Sequence, residues 1–187
     1  MNAEQTGIVV APPSIPDGLS PLYQRTLELA LAEVGAHEEP PHSNRGPRVD
    51  QYLIGVDGRG GWLITDLSDS DRKWCARFAV WGTDRAVADL SLLETTVDPF
   101  QGGSRGGGLA SGAKLVRTAR ALELIRSGPA PGRIGVIVHA NGGSHVVRCV
   151  LVEPGGATMI TIEGNHRDQV ECVRRAVGEV SFWIECG

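Results

Sequence analysis

The chain has 187 residues, a length that suits one domain with a full hydrophobic core. Its 41% hydrophobic and 21% charged residues are those of an ordinary globular protein, and a net charge of −4 offers no electrostatic footprint for nucleic acid or an anionic membrane. No run approaches the roughly 18 apolar residues of a membrane span, so no membrane partner is expected.

Residues 1–17 are polar or Pro-rich and read as a flexible tail, which leaves 18–187 as a single domain. Met1 to Gly7 lacks a basic segment, and the apolar run Ile8-Val9-Val10-Ala11 stops at Pro12-Pro13, too short for a signal sequence. The expectation is synthesis in the cytoplasm without Sec export. Ser20 to Gly35 reads as a helix with Leu22, Leu27, Leu29, Ala30 and Val34 as its apolar stripe. His37 to Pro47 reads as a loop, Arg48 to Ile54 as a short second helix, and residues 55–71 as a Gly- and Asp-rich connection.

Cys75, Phe78, Ala79, Gly82 and Ala86 then recur at spacings of three and four, which predicts a buried helix running to about Asp89. Asp66-Leu67-Ser68-Asp69-Ser70-Asp71 just before it is rich in helix-capping residues, so Cys75 falls in the first turn. There the free backbone N–H groups and the positive dipole end favour the thiolate, the nucleophilic form. Gly102 to Gly108 reads as a flexible loop and Ser111 to Ser127 as a further helix.

From Arg133 the chain changes character. Arg133–Ala140, Ser144–Glu153, Ala157–Glu163, Gln169–Ala176 and Glu179–Cys186 are rich in β-branched and aromatic residues, with Gly, Pro and Asn turns between them. Helices first and about five antiparallel strands afterwards predict an α+β domain.

None of the four cysteines forms a CxxC pair, and Cys149 and Cys172 sit in apolar strand patterns as small buried hydrophobes. Cys75 is the exception because of the polar residues downstream of it. His145 heads a strand and shares a face with Val147, Cys149 and Leu151, expected to turn toward the cysteine helix. In the next strand Met159, Thr161 and Glu163 share a face that Asn165 continues. A carboxylate or amide there would accept Nδ1–H of His145 and aim Nε2 at the thiol. A cysteine on a helix, then a histidine, then Glu or Asn on later strands, is the chain order of a papain-like nucleophile, base and orienting group. His139 ends an apolar strand, and His166 follows the Glu-Gly-Asn turn and is expected to face solvent.

Two other patterns carry no chemistry. His37-Glu38-Glu39-Pro40-Pro41-His42 hints at a metalloprotease motif, but its histidines are five apart and its prolines forbid the helix. Gly107 and Gly112 have the spacing of a phosphate loop, but Ala113-Lys114-Leu115 replaces the Lys-Ser/Thr pair and no strand precedes it. No metal and no cofactor are expected.

Trp74-Cys75-Ala76-Arg77-Phe78 resembles the Trp-Cys-x-x-Phe core of the cysteine/histidine-dependent amidohydrolase/peptidase (CHAP) family, and Thr161-Ile162-Glu163-Gly164-Asn165 resembles that family's Thr-Ile-Glu-Gly-Asn strand end. Ser144-His145-Val146 stands where the family has its histidine, and Leu29–Gly35 and Asn44–Leu53 are similar to the helix and loop that lead such domains. The likeness spans about residues 22–185. It implies a papain-like (NlpC/CHAP-type) fold that cleaves amide bonds, usually in peptidoglycan, with Cys75 as nucleophile, His145 as base, Glu163 orienting the histidine and Asn165 as a further polar member. Two departures stand out: Pro131-Gly132-Arg133 where the family usually has Pro-Gly-Asp, and Val147 where it usually has Gly.

The expected activity is therefore a cysteine amidase or endopeptidase acting on the peptidoglycan stem peptide, reaching the wall after lysis or by specialised secretion. A secreted effector of this kind would be paired with an immunity or inhibitor protein. The alternatives are an intracellular cysteine protease or transferase acting on a protein, and a non-catalytic binding domain on the same fold.

Overall fold

The computed structural model describes residues 7–54, 73–91 and 111–186. Among them are four helices, α1 (Pro21–Leu31), α2 (Pro47–Ile54), α3 (Cys75–Asp89) and α4 (Gly112–Ala121). Seven strands, β1 (Ile8–Val10), β2 (Ile125–Arg126), β3 (Ile134–Val138), β4 (Ser144–Val152), β5 (Thr158–His166), β6 (Gln169–Ala176) and β7 (Phe182–Ile184), form one antiparallel sheet in the order β1-β6-β5-β4-β3-β7-β2. The class is α+β, with seven strands where about five were expected.

Both additional strands lie at the sheet's edges. Ile8–Val10, read as tail, pairs with Cys172–Arg174 of β6. Ile125–Arg126, read as the end of a helix, pairs with β7 instead. Helix α4 stops at Ala121, Glu123 takes a positive φ of 56°, and the Leu124 carbonyl accepts from the Glu185 N–H. Helix propensity there yields to the unpaired edge of β7. The same competition shortens α1, since the Gly35 N–H and the Ala36 carbonyl both bond Val170 of β6. The expected caps at Asp66–Asp71 and the Gly102–Gly108 loop lie outside the described residues.

Helix α3 is the centre of the fold. Small residues (Ala76, Ala79, Gly82, Ala86) let it approach both α1 and the sheet, and all are buried. On one flank Cys75, Ala76 and Val80 pack with Leu115 and Val116 of α4 and with Ile134, Val136 and Val146 of the sheet. On the other, Tyr52, Trp74, Phe78 and Trp81 form a ring-on-ring cluster, with centroids 5.1–6.4 Å apart, over Val150, Ile160 and Ile162. Each large side chain buried there contributes roughly 1.5–3 kcal/mol. The guanidinium of Arg148, 1% exposed, ties β4 to α3 by donating to the Ala79 carbonyl and to Thr83 Oγ1 at 2.6 Å.

Candidate active site

The site forms where the β4–β5 ladder ends. Pairing runs from Val152–Met159 to Arg148–Ile162 and stops. Continued in register, it would set Val146 against Gly164 and His145 against Asn165. Odd-numbered residues of β4 bond toward β3, as the Cys149 N–H does to Arg133, so the Val146 N–H faces β5. With no partner strand at that level, it hydrogen-bonds Cys75.

The start of α3 occupies this gap. Trp74 is its N-cap residue, where a cap within Asp66–Asp71 was expected, and Cys75 is its first helical residue, inside the first turn as expected. Trp74 has no side-chain cap bond and is held by its ring, which is fully buried and donates through Nε1 to Glu38 Oε1 at 2.8 Å. Gly164 makes room for it. A Cβ at that position would lie 2.6 Å from Phe78 Cβ and 2.8 Å from Trp74 Cζ3, so no other residue fits without moving the helix. The Trp-Cys and Glu-Gly-Asn segments are thus two halves of one contact.

His145 lies on the sheet face away from the helices. Val146 and Val150 pack toward α3, whereas Cys149 packs with Met159 and Trp183 on the far side. The expectation that His145 turns toward the helix carrying Cys75 is met by its ring, which bonds Cys75, whereas Cys149 further along the strand packs elsewhere. The ring meets the thiol at the end of the ladder, where the helix start comes level with the sheet. His145 is 2% exposed, bonds Cys75, and donates from Nε2 to Glu163 Oε2 at 2.8 Å. This reverses the expected use of the ring, since Nε2 serves the carboxylate and Nδ1 is left for the sulfur.

Glu163 is fully buried and saturated. It accepts from His145, from Thr161 Oγ1, and from both Nε and Nη2 of Arg175 at 2.6 and 2.8 Å. Burial alone would raise its pKa, but Arg175 and His145 outweigh that and hold the carboxyl well below the usual carboxylate range. Burial would lower the pKa of His145; its bonds to Cys75 and Glu163 instead push it up to about 10. Burial pushes the Cys75 thiol up, and His145 together with the N–H groups of Val146 and Ala76 brings it below the ordinary thiol value. The arrangement favours a thiolate–imidazolium pair. In contrast, burial pushes Cys149 and Cys172 up to about 12.

No family model, curated protein or solved structure matches this chain.

Asn165 lines the cleft beside Cys75 and His145. It adopts φ 58° at a bulge in the β5–β6 pairing, and its Nδ2 donates to Asn44 Oδ1 at 2.9 Å. A cleft of about 180 Å³ opens beside the sulfur, lined by Glu38, His42, Asn44, Lys73, Ser144 and Asp168 along with Cys75, His145 and Asn165. The loop that brings Glu38, His42 and Asn44 here is pinned at its base by the Glu38 N–H to Asp168 carbonyl bond and at the rim by a His42–Asp168 contact of 2.5 Å. No group of three or more His, Cys, Asp or Glu side chains arranged to hold a metal ion occurs among the described residues.

His166 departs from expectation. It is fully buried, with Nδ1 2.5 Å from Glu171 Oε2, on the strand that carries Asn165. Sequence reading also missed Glu38 and Arg175. Nothing in the loop composition marks Glu38. Arg175 left a trace in the Arg174-Arg175 pair, since period-two alternation must send one of two adjacent strand residues inward.

Proposed function

We propose that this protein is a cysteine hydrolase of amide bonds with a papain-like architecture. The observation that carries this reading is the chain of contacts Cys75–His145–Glu163 at the buried end of an open cleft, where a nucleophile, its base and the base's orienting carboxylate meet. The Cys75 thiolate attacks the amide carbonyl carbon and a C–S bond forms. The backbone N–H of Cys75, which as a first-turn group has no partner within the helix, would donate to the oxyanion. The imidazolium of His145 gives its proton to the leaving nitrogen as the C–N bond breaks. Water then attacks the thioester, His145 takes its proton, and the carboxylic acid departs, restoring the thiolate.

Peptidoglycan is the substrate this reading favours. Its support is the likeness of Trp74–Phe78 and Thr161–Asn165 to the CHAP motifs. The contact between these two segments at Gly164 agrees with that likeness. The polar lining of the cleft suits a stem peptide rich in carboxyl, amide and amino groups. Purified sacculi incubated with the protein should gain free amino groups, and Cys75→Ala should abolish the gain. Intact sacculi together with Cys75-dependent modification of a protein would keep the chemistry and replace the substrate. Full function in Cys75→Ala would make the domain a binding module.

A further inference from the structure

We infer that Arg175 is a positioning residue of this site, holding the Glu163 carboxylate ionised and in register so that the proton they share stays on His145. The inference rests on the thiol-nucleophile reading above. Arg175 sits on β6 one strand beyond Glu163, is 2% exposed, and grips both carboxylate oxygens with Nε and Nη2. Its remaining arm, Nη1, donates to Glu179 Oε2 at 3.0 Å, and Glu179 is itself fixed by the Ala176 N–H. Gly7, just before β1, lies beside this part of β6, where an added Cβ would fall 2.4 Å from Val173 Cγ1 and 3.5 Å from Nη1. The guanidinium is thus held between two carboxylates.

The geometry bears on the chemistry because a buried carboxylate beside a buried imidazole is ambiguous. In an apolar setting the proton can pass from the ring to the acid, giving a neutral pair and losing the charge that stabilises the thiolate. A bidentate guanidinium removes that option, since it is always charged and its fork fits only the ionised carboxylate. The other groups around the cluster do not substitute for it. Cys172 on β6 is a neutral thiol, Thr161 does not titrate, Glu171 opposite Glu163 is a carboxylate bonded to His166, Glu179 is a carboxylate on Arg175 itself, and Glu38, His42, Lys73 and Asp168 line the open cleft beside Cys75 and His145. With Arg175 present the charges on Arg175, Glu163, His145 and Cys75 sum to zero. Without it the cluster carries a net negative charge, and its next proton binds at higher pH.

The test is the rate of Cys75 alkylation by iodoacetamide as a function of pH, read by peptide mapping on the whole protein. The acid midpoint reports protonation of the cluster and does not depend on any substrate. Arg175→Gln should move that midpoint upward by about one pH unit or more, and Arg175→Lys, which keeps the charge but loses the fork, by a smaller amount. A residue needed only for packing would lower the melting temperature and leave the midpoint in place. If Arg175→Gln does not fold, the Arg175→Lys shift decides alone. An unmoved midpoint in the folded variants overturns the role of Arg175 while leaving Cys75 as nucleophile. A wild-type Cys75 that alkylates no faster than Cys149 overturns both.

Discussion

His145 donates from Nε2 to Glu163 Oε2 at 2.8 Å, and this bond dictates which nitrogen meets the nucleophile. With Nε2 held by a carboxylate that is itself clamped by Arg175, the ring has one orientation and Nδ1 is the nitrogen left for Cys75. In the proposed reaction the base would thus be oriented before substrate arrives, which is the condition for efficient proton transfer.

The first consequence is selective reactivity. Cys75 is held below the ordinary thiol pKa, whereas Cys149 and Cys172 are pushed up to about 12 by burial. Iodoacetamide at neutral pH should modify Cys75 before either of the others, read by peptide mapping. Faster labelling of Cys149 or Cys172 would remove Cys75 from the role of nucleophile.

A second consequence concerns pH. The folded pKa of His145, about 10, lies above its free value. Its contribution to stability is therefore complete below the free value near ~6.5 and is lost as pH rises toward about 10. Cys75 is depressed, so its contribution is present above the ordinary thiol pKa and is lost as pH falls through the folded value. Activity should hold through neutral pH and fall on an alkaline limb set by His145. Glu163→Gln should bring that limb down by about one unit or more, because bond and charge are both weakened. An identical limb in wild type and Glu163→Gln would mean that Glu163 does not govern the base.

Mutant losses should follow the division of roles. Cys75→Ala and His145→Ala act on one unit, so each should lower activity about a thousandfold or more, and the double variant should be scarcely worse. Glu163→Gln should lose less activity, since an amide oxygen can still accept from Nε2. It removes one of the two carboxylates that hold the buried guanidinium of Arg175, however, leaving Glu179, at a stability cost of about 1–3 kcal/mol. Asn165→Ala, whose side chain bonds Asn44 and not His145, should spare the chemical step and alter substrate binding. Steady-state kinetics and thermal melts of this set separate the roles.

Gly164 offers a purely steric test. A methyl group there meets Phe78 and Trp74 at 2.6–2.8 Å, and neither can give way without shifting the start of α3. Gly164→Ala should cost about 1–3 kcal/mol and displace the sulfur from His145. The checks are a lower melting temperature and slower alkylation of Cys75. An unchanged alkylation rate would show that the helix start is not located by this contact.

Much of the fold and site is legible in the chain itself. The 3.6-residue spacing after Trp74 places Cys75 in the first turn, and β-branched alternation locates β3 to β6 closely, because a buried face imposes its period on the residues. Ile8–Val10 and Ile125–Arg126 are not readable as strands, since two or three residues carry no period and form only because β6 and β7 offer free edges. The Cys75–His145–Glu163 order is visible, but the ring orientation is not. It depends on the β4–β5 ladder ending at Arg148–Ile162, which is a register property and not a composition. His166 defeats expectation for a related reason: a residue after a turn motif is expected outside, yet Glu171, two places along β6 from Gln169, draws it in.

In the proposed reaction Cys75 drives hydrolysis of amide bonds in peptidoglycan. The most direct measurement is mass spectrometry of fragments released from purified sacculi digested in heavy-oxygen water. The account predicts that wild-type protein releases fragments with new amino termini, each partnered by a new carboxyl group carrying one heavy oxygen, and that Cys75→Ala releases none. Wild-type protein that releases no such fragments, or equal release by Cys75→Ala, would contradict it.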